Sequence, residues 1–298
     1  MKKIIFKLSL IYIFTFLLCS KIYSNEQKNL ISEIRNLLEF SNTIDASIKS
    51  YYSKNLYQPF WQNNKIKTNE FINVLKNAHQ EGIPIARYGL KDIEKLASSS
   101  KFNDLAKLEV ILTEKFLLYS QDLSVGIVDP LSLSSFIDIK REKPSSENFL
   151  NNLNDYLDIN NYFENLRPNN PDYLKLMKEL ANLKKIKSKK IKITSVPNDI
   201  TLEVGMSHPN VIPLRQRLFE LNIHQDTSNS ETFDKELLKS VMLFQEYSGL
   251  DSDGVVGKKT YQALNLSIDT KLMQVLVNLE RLRWLNFNFG KDYILINQ

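Results

Sequence analysis

Few side chains in this sequence have the types and spacing that nucleophilic or metal chemistry requires. The single cysteine, Cys19, lies near the start, so the rest of the chain offers no thiol nucleophile, disulfide or cysteine metal ligand. The histidines, His79, His208 and His224, fall in separate segments and have no carboxylate four residues on, which argues against a zinc hydrolase. No Gly-rich phosphate loop and no Gly-x-Ser-x-Gly elbow occurs. An acidic pair for glycoside cleavage stays open, because 34 acidic residues always bring some carboxylates together.

Asp251, Asp253 and Gly254 share features with a calcium-binding loop, but their spacing is wrong for one. With Gly254 as the obligatory glycine, the first ligand position is Gly249 and the last is Thr260, and no bidentate glutamate is present. We therefore predict an ordinary Asp-Gly turn. The sequence predicts no metal ion and no cofactor.

The turn lies in a segment, 202–265, whose apolar pattern predicts a compact three-helix unit. Two amphipathic stripes repeat at three- and four-residue spacing. Their members are Val211, Leu214, Leu218 and Leu221 in the first helix, and Leu237, Leu238, Val241, Met242 and Phe244 in the second.

Capping residues mark the ends of these helices. Ser207, followed by Pro209, is the predicted N-cap of the first helix, and Asp234 that of the second. Asn222 and Gly249 tolerate the left-handed backbone conformation that ends a helix, so we predict that they close the two helices.

This segment resembles the peptidoglycan-binding domain of bacterial cell-wall enzymes. About a dozen positions match in order and spacing, although Asn222 stands where the family often has glycine. The same three-helix unit also serves as a pro-segment in unrelated proteases. The matching strings are Leu214-Arg215-x-Arg217-Leu218, Phe244-Gln245, Gly249-Leu250, Asp253-Gly254-x-Val256-Gly257, Thr260 and Leu264-Asn265.

The resemblance implies a peptidoglycan ligand and directs attention to polar groups near the helix junction. Arg215, Gln245, Asp253 and Thr260 are expected to be exposed there and to hydrogen-bond sugar or peptide. For Asp253 and Thr260, helix capping and turn stabilisation is the favoured alternative.

The N-terminus has the pattern of a secretory signal. A basic start precedes an apolar run from Leu8 to Leu18, and Ser24 supplies a small residue for cleavage before Asn25. An uncleaved anchor, and hence a membrane tether, is the alternative. Leu18 is not the small residue that lipidation of Cys19 would need. We therefore expect a periplasmic or cell-envelope protein.

Removal of residues 1–24 makes the chain nearly neutral. It removes four lysines, which leaves 35 basic and 34 acidic residues, a net charge of +1. Overall charge therefore gives no support to a nucleic-acid partner.

Residues 25–190 are predicted to be helical, with the longest candidate between Asn103 and Leu123. Several strings in order resemble the helical scaffold domain of the large periplasmic L,D-transpeptidases. They are Pro59-Phe60-Trp61, Ala78-x-x-x-Gly82-x-Pro84-x-x-x-Tyr88, Leu112-Thr113 with Phe116-Leu117-x-Tyr119, Asp122-Leu123-x-x-Gly126-x-x-Asp129-Pro130 and Pro171-x-Tyr173-x-x-Leu176.

A lysine-rich run, 184–192, separates the two predicted domains. A solvated helix end and linker is the favoured interpretation, because lysines near a helix C-terminus complement its dipole. Contact with anionic envelope polymers is the alternative.

The last segment, 267–298, resembles the start of the L,D-transpeptidase catalytic domain. A helix capped by Ser267 leads into Asn278-Leu279-Glu280-Arg281-Leu282-Arg283-Trp284, and Tyr293–Ile296 follows as a predicted strand. The family joins stem peptides through a cysteine in a Ser/Thr-x-Gly-Cys motif, and no such motif occurs here. We therefore expect no catalytic residue and no activity from these residues alone.

The resulting prediction is a mainly α protein divided into four parts. They are a signal peptide, 1–24, a helical scaffold domain, 25–190, a peptidoglycan-binding domain, 191–266, and a linker helix with a β-strand fragment, 267–298. One hypothesis is the truncated front part of an L,D-transpeptidase, with a separate catalytic chain as a variant of it. The other is a complete noncatalytic wall-binding or scaffolding protein.

Overall fold

The computed structural model describes residues 26–133, 139, 143–155 and 158–285. Within these ranges the protein is helical, and its only β-pairings are the isolated bridges Leu202–Val256 and Ser207–Thr232. The mainly α prediction is therefore confirmed. The predicted signal and the predicted strand Tyr293–Ile296 lie outside the described residues. None of the described helices combines the length and the apolar character that crossing a membrane requires.

The chain divides into two compact units. Unit 1 runs up to Met177 and resumes at Asn278, whereas unit 2 comprises Lys178–Val277. The boundaries fall within two helices, α10 (Pro171–Ser188) and α14 (Ile268–Trp284).

Unit 1 is built from nine further helices and two 3₁₀ turns among the described residues. The turns are Ala78–Glu81 and Ile85–Tyr88. The helices are α1 (26–40), α2 (Ala46–Lys54), α3 (Phe60–Asn63), α4 (Lys65–Asn77), α5 (Leu90–Ala97), α6 (Phe102–Val125), α7 (Pro130–Leu133), α8 (Ser146–Asp155) and α9 (Ile159–Leu166).

The core of unit 1 forms around α6, which corresponds to the longest helix predicted from the sequence. Leu112, Phe116 and Leu123 on this helix are fully buried. Aromatic rings from other helices surround Phe116: the Phe71 ring centroid lies 5.8 Å away and that of Phe163 lies 5.6 Å away. Large rings bury much apolar area at these offset geometries, so this cluster is a principal source of stability for the unit.

Unit 2 contains the three short helices α11 (Val211–Glu220), α12 (Lys235–Tyr247) and α13 (Lys258–Leu264). Their apolar stripes meet in one core, as the periodicity predicts. The prediction is wrong for Met242, which is 37% exposed because it lies about 100° around α12 from the buried Val241. The fully buried members at the centre of this core are Leu202, Val211, Leu214, Leu218, Phe233, Leu237, Val241, Val256 and Leu264.

Most of the predicted helix ends of unit 2 are confirmed, and one is wrong. Asp234 caps α12 by accepting hydrogen bonds from the amides of Glu236 at 2.9 Å and Leu237 at 2.8 Å. Asn222 and Gly249 both adopt positive φ, at 56° and 66°. Ser207 does not cap α11. It pairs with Thr232 in a bridge, and the helix begins at Val211.

Candidate functional site

The 250–257 loop of unit 2 is held by one buried glutamine. Gln245 is 1% exposed. Its Nε2 donates to the Asp253 carboxylate at 2.8 Å and to the Val255 carbonyl at 2.9 Å. Its Oε1 accepts from the Gly254 amide at 2.8 Å. A single side chain therefore fixes three consecutive residues of the loop.

Asp253 and Gly254 complete this turn. The Asp253 carboxylate accepts from the Val255 amide at 2.9 Å, and this bond, together with that from Gln245, lowers the pKa of Asp253. Gly254 has φ 74°, and a Cβ there would collide with the Leu238 side chain. Only glycine meets both conditions, so the predicted Asp-Gly turn is confirmed with a packing reason added.

The 222–234 loop is held by a buried arginine. Arg215 is 1% exposed, and its Nη1 lies 3.1 Å from His224 Nε2 and 3.0 Å from an Asp226 carboxylate oxygen. Its Nη2 donates to the Thr232 carbonyl at 2.7 Å and to the Asp234 carboxylate. The charge of Arg215 is therefore neutralised within the fold through Nη1 and Nη2, whereas its buried Nε has no hydrogen-bond partner among the described residues.

His224 completes the arginine cluster in its neutral form. Its Nδ1 lies 2.9 Å from Ser240 Oγ, and its Nε2 faces the Arg215 donor. Nε2 must accept, so we assign the proton to Nδ1, which donates to Ser240. Burial and then the positive charge of Arg215 lower the pKa of His224.

These contacts correct the expectation that all four candidate residues are exposed. Arg215, Gln245 and Thr260 are buried, and only Asp253 lies at the surface. The reason is their position beside the apolar stripes, where a polar side chain turns inward and bonds to the neighbouring loop. Sequence reasoning did not find the His224–Ser240 contact, because no spacing links a loop histidine to a helix serine.

The exposed face of α12 carries an apolar and an aromatic side chain, about 180° around the helix from Gln245. Tyr247 is 73% exposed at the end of α12, and Leu243, one helical turn before it, is also exposed. Residues four apart share a helix face, so these two form a strip. We call Leu243 and Tyr247 the α12 strip.

A second polar cluster lies in unit 1, where the last turn of α14 meets the scaffold helices. The Glu280 carboxylate accepts from the amides of Ile127 at 2.6 Å and Val128 at 2.7 Å, and from Trp284 Nε1 at 3.1 Å. Gly126, with φ 82°, comes so close that a Cβ there would lie 2.5 Å from the Glu280 carboxylate.

Arg283 extends this cluster into the interior of unit 1. Its Nε and Nη2 lie 3.1 Å and 2.7 Å from the Tyr173 hydroxyl, and Nη2 also donates to the Glu81 carbonyl. The Glu81 carboxylate in turn accepts from Tyr173 at 2.9 Å and pairs with Arg167 at 2.7 Å. We call Gly126, Glu280 and Arg283 the α14 clasp.

Several residues of the strings that resemble the scaffold domain form buried polar contacts in unit 1. Tyr88 donates to Asp122 at 2.9 Å, and Arg87 pairs with the same carboxylate at 2.8 Å. The buried Glu109, which the sequence reasoning missed, accepts from the amides of Phe60 and Trp61 at 2.5 Å and 2.9 Å. These buried polar contacts tie separate helices together.

Comparison with known families assigns both segments. Residues 46–180 match the Scaffold domain family, and residues 207–264 match the putative peptidoglycan binding domain family. The chain thus carries a Scaffold domain followed by a peptidoglycan-binding domain. This arrangement is the architecture of the N-terminal part of the L,D-transpeptidases, as the sequence predicted. A search of curated proteins found no match.

Proposed function

We propose that this protein binds the peptidoglycan of the cell wall through unit 2, and that it serves the L,D-transpeptidase reaction by holding the polymer. The observation that carries the proposal is the peptidoglycan-binding family match over 207–264, the residues that form the three-helix unit. Its cell-envelope location agrees with this ligand. Export to the periplasm by a cleaved signal is part of the proposal.

The α12 strip is the proposed contact surface, and the exposed Asp253 is a second, separate contact point of unit 2. An exposed aromatic ring packs well against the apolar face of a sugar, and nearby polar groups supply orientation. Gln245, Arg215 and Thr260 would act indirectly in this scheme. They hold the loops and leave their hydrogen bonds unchanged when ligand binds.

Co-sedimentation with purified sacculi tests the contact surface. Tyr247→Ala should weaken binding by about tenfold, the effect of losing a well-placed aromatic contact. Phe219→Ala is the matched control, since Phe219 is also exposed in unit 2 but lies on α11. Equal recovery of the wild-type chain in the supernatant with and without sacculi would remove the binding proposal itself.

The catalytic step is proposed to need a nucleophile from outside residues 25–298. Acyl transfer by this class uses a cysteine thiolate, and these residues contain no cysteine. A protein of residues 25–298 should therefore form no cross-links from stem-peptide donors. Cross-linking by that protein would contradict this assignment of the chemistry.

A further inference from the structure

A cleft lies on the surface of unit 1 between α2 and α8. Its volume is about 430 Å³, within the range of pockets that hold small ligands. It is lined by Ser47, Ser50, Tyr51, Lys54, Asn55, Glu147, Leu150 and Asn151.

The lining combines a partly apolar floor with a neutral polar rim. Tyr51 and Leu150 are buried and form the floor. Ser50 and Asn151 are exposed, and among the described residues neither side chain has a hydrogen-bond partner. Asn55 also lines the cleft, and its Nδ2 donates to the Tyr51 carbonyl at 2.8 Å.

The charges of the described lining cancel. Lys54 and Glu147 pair at 2.7 Å across the two helices, and no further charged side chain among the described residues lines the cleft. Among the described lining residues a phosphate or a polyanion would meet one cation, Lys54, which is already paired with Glu147. The hydroxyl and amide groups of the rim can both donate and accept hydrogen bonds. Together with the apolar floor, they suit a neutral ligand that carries hydroxyl and amide groups.

We propose that this α2–α8 cleft binds an N-acetylated amino sugar of a glycan strand. The acetamido and hydroxyl groups of such a sugar match the amide and hydroxyl rim, and its apolar side would lie over the partly apolar floor. The proposal rests on the proposed function for the identity of the polymer. It gives the scaffold domain a contact with the wall that is separate from unit 2.

Calorimetric titration with an oligosaccharide of N-acetylglucosamine tests the cleft. The titration uses the chain carrying Tyr247→Ala, so that the contribution of the α12 strip is reduced. Adding Asn151→Trp, which fills the cleft, should weaken binding by at least about tenfold. Asn152→Trp is the matched control, because Asn152 is exposed on the same helix but does not line the cleft.

A second blocking variant guards against a folding artefact. Ser50→Trp fills the cleft from α2 and should have the same effect as Asn151→Trp, with both variants keeping the parent thermal unfolding temperature. Unchanged affinity in both variants, or binding of a free stem peptide in place of the sugar, would overturn the proposal. Binding of the oligosaccharide but not of sacculi by the wild-type chain is a different outcome. That result would contradict the function proposed for unit 2.

Discussion

The polar residues that the sequence singles out are mainly builders of loops. Arg215 and Gln245 follow directly after buried apolar residues on their helices, and both spend their hydrogen bonds within unit 2. Sequence alone predicted that these residues matter. It could not predict their direction, because a position at the edge of an apolar stripe can face either the solvent or a neighbouring loop.

Removing the Gln245 amide should destabilise unit 2. Gln245→Ala leaves the buried Gly254 amide without its partner, at a cost of about 2 kcal/mol in the free energy of unfolding. The Val255 carbonyl loses one donor and keeps those from Thr260 and the Gly257 amide. Urea denaturation measures this cost, and Gln262→Ala on the exposed side of α13 is the control. Unchanged stability combined with lost sacculus binding would show that Gln245 contacts the ligand directly.

His224 should make unit 2 less stable in mild acid. Its pKa is lowered in the folded state, so the unfolded chain binds a proton more readily. The stability it contributes is complete above its unfolded pKa of about 6.5 and is lost as the pH falls toward the lower folded value. Burial and the charge of Arg215 lower the pKa of His224, whereas the carboxylates of Asp226, Asp234 and Glu236 raise it. The lowering effects are the larger.

Denaturant unfolding of the wild-type chain and of His224→Gln across this pH range checks the effect. The wild-type chain should lose stability below about pH 6.5, and the variant should respond less. An equal response of the two proteins would assign the pH dependence to other groups.

At the scale of elements, the helices follow from the sequence more fully than the contacts between them. Periodicity and caps predicted α11, α12 and α13, and Ser267 does bond to the Thr270 amide at 3.0 Å, as expected for the cap of α14. The Ser207 prediction is wrong because a bridge to Thr232 competes for that residue, and a bridge between separate segments leaves no local pattern.

The α14 clasp should depend on the absence of a side chain at Gly126. Its φ of 82° is unfavourable for other residues, and an added Cβ would press on Glu280 and Trp284. Gly126→Ala should therefore lower the unfolding free energy of unit 1 by about 3 kcal/mol. Gly89→Ala is the control, since Gly89 also has positive φ but its nearest neighbour lies 4.0 Å from the added Cβ.

Thermal unfolding, with hydrogen exchange at the amides of Ile127 and Val128, reports on the clasp. Faster exchange at these amides in Gly126→Ala and in Glu280→Ala is the expected result. Slow exchange in both variants would show that Glu280 does not protect them.

At the scale of the whole molecule, the sequence predicted the order of the two domains. It did not predict that the end of α14, from Asn278 onward, belongs to unit 1. Residues 278–285 belong to the same compact unit as the scaffold helices. The contacts responsible join residues 153 positions apart, such as Ile127 and Glu280. A single sequence records the residues at both ends of such a contact but nothing about their pairing.

The measurement that tests the central claim most directly is hydrogen exchange of the mature chain with and without soluble peptidoglycan fragments. Binding through unit 2 predicts slower exchange within 243–257, the end of α12 and the loop that Gln245 holds. Any protection at α8 would report separately on the cleft in unit 1. Unchanged exchange throughout 207–264 under conditions where the fragments bind would contradict the account.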